Sequence, residues 1–299
     1  MLANSIAGLN LPHSPNPLLH RVLAAALPAA GDDRGDRPVA YWDAPYFQLD
    51  QVQVFQTATA EEQAHILHLA SHSLLAEAYW IEKTGVGYMA KMVLLSETQE
   101  ERMLYGLFTA DETLHLSQLC PFLPDPEFIP EQNPFLSLLA GVVEGDDKAL
   151  LLFVLQVVLE GWGLSHYRRL SQTCRDHALA ALFSSFLQAE ARHHATGTIL
   201  FDQTAVSARS RTNIIEVLAT FLRMVQVGPQ SVLTAIEQVK GHLSRAQKIQ
   251  ILAELDAVTH SGTRLQLLRS LMTGATTGAI VASLEAQAAF EPLPPDQCV

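Results

Sequence analysis

Glu112-Thr113-Leu114-His115 and Glu190-Ala191-Arg192-His193 are the two stretches on which the reading of this chain turns. Residues three apart on an α-helix share a face, so each stretch can present one carboxylate and one imidazole to the same point. A single Glu-x-x-His carries little weight among 12 histidines and 31 acidic residues. The spacing around the two carries more. Glu82 precedes Glu112 by thirty residues (112 − 82), and Glu160 precedes Glu190 by the same thirty (190 − 160). In an antiparallel helix pair, residues equally far from the turn lie at one height. The two midpoints, 97 and 175, both fall on turn signals: Ser96-Glu97-Thr98 and the position before Asp176. Fifteen residues of helix carry each donor roughly 22 Å from its turn. Two hairpins thus repeat one plan, a mid-helix Glu followed after a turn by Glu-x-x-His.

Working outward, Thr59-x-x-Glu62 is a capping box, and apolar residues then recur at three- and four-residue steps towards Leu95. Thr98-x-x-Glu101 restarts a helix to about Leu119. Asp146 or Asp147 caps a third helix to about Thr173, and Asp176 a fourth to about Phe201. Strand-like alternation is absent, so the expected class is all-α. Pro121, Pro124, Pro126, Pro130 and Pro134 mark a long connection between the second and third helices. Residues 1–56 read as an irregular arm, broken by Pro12, Pro15, Pro17, Pro28, Pro38 and Pro45, with one short helix near Leu18–Leu27. Residues 207–299 read as four or five shorter helices, punctuated at Gly228-Pro229, Ser244, Ser261 and Gly274 and closed by Pro292, Pro294 and Pro295. The expected division is an arm (1–56), a helical metal-binding region (57–205) and a C-terminal helical region (206–299).

A hydrophobic share of 48% in 299 residues is enough for a sizeable core. The net charge of −12 disfavours nucleic acid and anionic membrane surfaces as partners. Cys120, Cys174 and Cys298 stand singly, without C-x-x-C spacing, which fits a reducing compartment. The N-terminus lacks a signal-peptide layout, and the apolar run Ala149 to Leu159 is too short to span a bilayer. A cytoplasmic location with no membrane span is the expectation. Arg34-Gly35-Asp36 matches an adhesion tripeptide and is read as chance.

Four ionised carboxylates in a helical core are prohibitive without cations. Two divalent ions offset four negative charges, and a set of carboxylate oxygens with one imidazole per metal suits iron or manganese better than zinc. The doubled Glu…Glu-x-x-His pattern resembles the ferritin-like di-iron carboxylate superfamily, over roughly residues 59–203. The resemblance implies a four-helix bundle, with residues 120–145 as its crossover. It implies Glu82, Glu112, His115, Glu160, Glu190 and His193 as ligands, with Glu112 and Glu190 bridging. Many oxygen-activating members show Asp-Glu-x-Arg-His in both motifs. Here the first keeps the aspartate, Asp111, and the second keeps Arg192 but has Ala189 before Glu190. Asp111 is therefore the candidate to orient His193 across the bundle, while His115 has no such counterpart.

The implied activity is oxygen-dependent: two iron ions, or manganese with iron, take dioxygen as co-substrate and oxidise, hydroxylate, desaturate or cleave a small, hydrophobic organic substrate, with an electron donor as partner. The alternatives are ferroxidase or iron handling without an organic substrate, and a radical-generating subunit. The helices of residues 207–299 are expected to cover the site or to form a homodimer interface.

Several residues near the motifs carry a plain packing reading beside a functional one. Glu77, five residues before Glu82 on another face, is the alternative first ligand. Tyr105, two turns before Glu112, is a redox or proton-relay candidate, and Tyr167 can line the site; core packing explains both. His65, His68 and His72 form a stripe that suits a solvated face as well as a further metal. His194 reads as structural, and His166 and Tyr167 follow Glu160 by six and seven residues. Gly85, Gly87, Gly161 and Gly163 follow the lone glutamates, leaving room for a small molecule or allowing close helix packing. Met89, Phe108, Leu164 and Phe186 would line an apolar pocket or fill the core.

Overall fold

The computed structural model describes residues 5–28, 38–123, 133–274 and 276–299. Among them every regular element is helical, so the class is all-α. Arg34-Gly35-Asp36 and Pro124, Pro126 and Pro130 lie outside the described residues. The chain forms two compact units, one from residues 1–37 and 75–146, the other from 38–74 and 147–299. Compactness thus groups the chain differently from the order of its segments.

In the first unit, α1 (Pro17–Ala26) begins at the Asn16 cap, close to the short helix expected there. Helix α2 (Ala60–Leu95) runs on from the second unit and supplies residues 75–95. The caps form where the sequence places them, as a full box at Thr59 and as a side-chain cap at Thr98, with Glu101 Oε2 accepting from Glu97 N–H at 2.9 Å. Glu62 N–H donates to Thr59 Oγ1 at 3.2 Å and Thr59 N–H to Glu62 Oε2 at 2.8 Å. After the turn at 96–98, Thr98 accepts from Glu101 N–H at 3.1 Å and opens α3 (Gln99–Leu119). The segment before α1 is strapped down as well: Ser5 Oγ and Ala7 N–H both donate to Glu144 Oε1, at 2.7 and 3.0 Å. It crosses α2 at Gly87, where any Cβ would overlap the Ile6 carbonyl oxygen.

The connection expected between residues 120 and 145 needs correction. After a 3-10 turn at Cys120–Phe122, residues Pro134–Glu144 form α4. Pro134 starts this helix rather than breaking it, because at the first position its missing N–H costs nothing. Asn133 Oδ1 accepts from Phe135 and Leu136 N–H, and Leu136, Leu139, Val142 and Val143 are buried. Lys91 Nζ then donates to the Val143 carbonyl at 3.0 Å, at the helix's C-terminal end.

In the second unit, α5 (Lys148–Thr173) starts at Asp147, whose carboxylate accepts from Leu150 N–H at 3.2 Å. Its stretch Leu151–Glu160 is π-helical, which no apolar pattern announces. This helix is long and apolar enough to cross a membrane, although its uninterrupted apolar run is not. With 61% of its most apolar window buried inside the protein, it is placed as a core helix. Asp176 caps α6 (His177–Gln203), accepting from Leu179 N–H at 2.9 Å, and α6 packs along α5.

Residues 38–56, read as irregular, hold short helical turns at Ala44–Phe47 and Gln53–Gln56 and dock on this hairpin. Trp42 is fully buried; its Nε1 donates to Leu170 O at 3.1 Å and its ring lies 6.1 Å from Phe183. The remaining helices are α7 (Ala208–Gln226), α8 (Gln230–Lys240), α9 (Arg245–Glu254), α10 (Ala257–Leu271) and α11 (Gly278–Ala286). Ser244 caps α9 with a full capping box. Ser261, expected to punctuate, instead lies buried within α10, and the break falls at Asp256, which takes a left-handed conformation (φ 45°). Asp tolerates that region better than most residues, because its short polar side chain bonds locally.

Candidate metal centre

The first hairpin brings Glu82 of α2 together with Glu112 and His115 of α3. Thirty residues of antiparallel spacing place them level, and all three are at least 95% buried. His115 Nδ1 lies 3.0 Å from Glu82 Oε2; with a carboxylate as acceptor, the ring nitrogen is the donor. Gly85, one turn after Glu82, shapes the other carboxylate: a Cβ there would stand 2.5 Å from Glu112 Oε2 and 2.8 Å from its Cδ. Glu112 therefore lies against a bare stretch of helix backbone that only glycine provides.

Glu77 is used elsewhere. Asn133, the α4 cap, donates from Nδ2 to Glu77 Oε2 at 3.1 Å. Lys83, beside Glu82, is half-buried and does not point at the carboxylates. Its Nζ donates to the carbonyls of Leu9 and Leu11, lies 4.4 Å from the Trp80 ring centroid, and is pulled below the usual lysine range by burial.

The second hairpin supplies Glu190 and a fully buried His193 on α6, with Nδ1 3.8 Å from Glu190 Oε2. Glu160 is half-buried at the end of the π-helical stretch, its Oε2 fully shielded from solvent. Four of the six expected donors come together: Glu82, Glu112, His115 and Glu190 each offer an atom within 4.8 Å of the others, and all four are buried. Glu160 and His193 are not part of that four-donor group.

Three carboxylates converging in a buried cluster repel one another and lose hydration, which is costly without a cation. Carboxylate oxygens with one imidazole nitrogen are a mixed set that suits a divalent first-row ion. The residues present thus fit a metal site. Comparison with protein-family models, with curated proteins and with solved structures gives no match.

The other candidates sort by contact. Tyr105 is fully buried, edge-on to Phe108 at 5.8 Å, on the same helix as Glu112. Tyr167 stacks on Phe183 at 5.6 Å and meets Phe186 edge-on at 5.5 Å, within an aromatic cluster. Asp111 is half-buried beside Glu112. Met89, Phe108 and Phe186 are buried, and Leu164 is half-buried. His68 Nδ1 pairs with the Val39 carbonyl at 2.9 Å and its ring stacks on His72, a structural use of that stripe. Gly161 gives room to His194, while a Cβ at Gly163 would meet nothing within 4 Å. Tyr79, three residues before Glu82, is pushed up to about 12 by burial and stays a neutral phenol.

His166 carries a consequence for stability. Burial, with Arg264 and Arg169 nearby, pushes its imidazole from 6.5 down to about 4. Below pH 6.5 the unfolded chain takes up a proton that the folded side chain refuses until about pH 4. Stability present above pH 6.5 is therefore lost as pH falls towards 4, by at most about 3 kcal/mol from this group. Urea unfolding of metal-free protein between pH 7 and 4.5 is expected to show a shallower acid decline for His166→Gln than for wild type. Parallel declines would show that the imidazole is not held neutral.

Sequence reasoning missed Gln156. It is fully buried, its Nε2 donates to His193 O at 3.0 Å, and its own carbonyl lies 3.0 Å from His194 Nδ1. The available signal was a lone amide in the run Leu151–Leu159, four residues before Glu160.

Proposed function

We propose that this chain is a di-iron, or mixed manganese–iron, oxidoreductase of the ferritin-like bundle type, which uses dioxygen to oxidise, hydroxylate, desaturate or cleave a small organic substrate. The observation that carries the reading is the buried convergence of Glu82, Glu112, His115 and Glu190. Glu160 and His193 would complete the ligand set from the second hairpin, with Glu112 and Glu190 bridging and Asp111 orienting His193. When bound, the ions would supply Lewis acidity and redox chemistry at coordination positions that these donors leave open.

The chain's own residues set the conditions. The carboxylates offset the cationic charge, and Gly85 holds Glu112 in its place against α2. Buried Met89, Phe108 and Phe186 keep the surroundings apolar and would suit a hydrophobic substrate. Hydroxylation leaves one oxygen atom in the product and the other as water, so a donor must supply two electrons and two protons. A cytoplasmic setting with a soluble donor accords with the single, unpaired spacing of the cysteines.

The test is metal content per chain in protein from iron-supplemented cells, beside a Glu112→Ala, Glu190→Ala double variant. About two iron or manganese ions per chain are expected, lost in the variant, with substrate-dependent oxygen uptake in a monomer or dimer. Substrate-free iron loading into large hollow assemblies would select the storage reading. No transition metal in either protein would overturn the proposal.

A further inference from the structure

One buried amide ties the two helices of the second hairpin together. Gln156 and Glu160, four residues apart, share the face of α5 that meets α6, and Glu190, His193 and Gly197 share the facing side of α6. Gln156 donates from Nε2 to the backbone oxygen of His193 at 3.0 Å and is completely buried. It reaches that oxygen because residue 197 is glycine: any Cβ there would overlap the Gln156 side chain. The next residue, His194, turns its ring the other way and bonds the Gln156 carbonyl through Nδ1 at 3.0 Å. A carbonyl only accepts, so this ring is the Nδ1–H tautomer or doubly protonated. Gly161 makes room for it, since a Cβ there would stand 2.8 Å from His194 Cε1.

The two bonds run in opposite directions between the same pair of segments, one from an α5 side chain to the α6 backbone and the other from an α6 side chain to the α5 backbone. Together they oppose sliding or rotation of α6 against α5 at residues 193 and 194. A buried amide in an otherwise apolar run is costly unless satisfied, so its bonds hold this register against neighbouring ones.

We propose that Gln156 is a positioning residue for His193 and Glu190, clasping α6 so that both face Glu160, with Gly197, Gly161 and His194 as its seat. The proposal rests on the metal-site reading above. The probe is Co(II), followed by its visible ligand-field spectrum and by equilibrium dialysis, on wild type, Gln156→Leu and Gln226→Leu. Gln226 is a matched control: it too is a buried glutamine whose Nε2 ties backbone oxygens, those of Ala288 and Glu291, both at 2.8 Å.

Gln156→Leu is expected to weaken Co(II) binding about tenfold to a hundredfold and to alter the spectrum. Gln226→Leu, with a comparable loss of unfolding midpoint, is expected to bind and absorb as wild type. Wild-type binding by Gln156→Leu, or equal weakening in both variants, would overturn the clasp. If wild type takes up no Co(II), the metal reading fails by itself. The clasp is then decided by imidazole ¹⁵N spectra of the metal-free protein. Shifts confined to His193 and His194 in Gln156→Leu would support it, and unchanged spectra would overturn it.

Discussion

Gly85→Ala is expected to leave the protein as stable as before, or slightly more so, while weakening metal binding about tenfold to a hundredfold. Within a helix, alanine is favoured over glycine by about 1 kcal/mol. The atoms nearest the new methyl are Oε2, Cδ and Cγ of Glu112, parts of a side chain that can rotate. Glu112 can therefore swing aside at little cost to folding, but in doing so it leaves its place among the four converging donors. Stability and affinity should part company, which a merely space-filling glycine would not produce. Thermal unfolding of the metal-free protein and Fe(II) or Co(II) titration, side by side, check this. A Gly85→Ala protein that binds metal like wild type would show that Glu112 is no ligand.

Metal itself is expected to be a large stabiliser, and the effect of Glu112→Gln should change sign with it, stabilising without metal and destabilising with it. In the metal-free protein the converging carboxylates of Glu82, Glu112 and Glu190 are buried together. Neutralising one of them at constant volume relieves repulsion and should raise stability by about 1–3 kcal/mol. With metal at a thousand times its dissociation constant, wild type gains about 4 kcal/mol. For a chain of this size that is roughly 6 °C in Tm. Glu112→Gln should gain far less. Unfolding scans with and without Fe(II) under argon, at pH 7, measure all four values. If Glu112→Gln were less stable than wild type without metal and equally stabilised with it, the cluster would be a hydrogen-bonded structural element.

Much of the helical order was legible because its signals are local. Thr59, Thr98, Asp147 and Asp176 each cap the helix they announce, since a cap involves only residues two or three positions away. The same locality misled at Pro134, where a breaker in one context is a favoured first residue in another, and at Ser261, buried inside a helix. The π-helical stretch Leu151–Glu160 was invisible, because its residues are ordinary core residues in either helix type.

By itself, the sequence determined the all-α class, the two hairpins and the level at which Glu82 meets Glu112 and His115, because helical periodicity and equal distance from a turn are arithmetic along the chain. Tertiary structure alone decided which side chains are engaged with which. Glu77 goes to Asn133 while Glu82 goes to His115; Gly87 yields to the Ile6 carbonyl while Gly85 yields to Glu112. It also decided that Gln156 grips His193 across 37 residues of sequence. Such pairings depend on which surfaces pack together and on the few ångströms a missing methyl group opens, quantities that no spacing along the chain encodes.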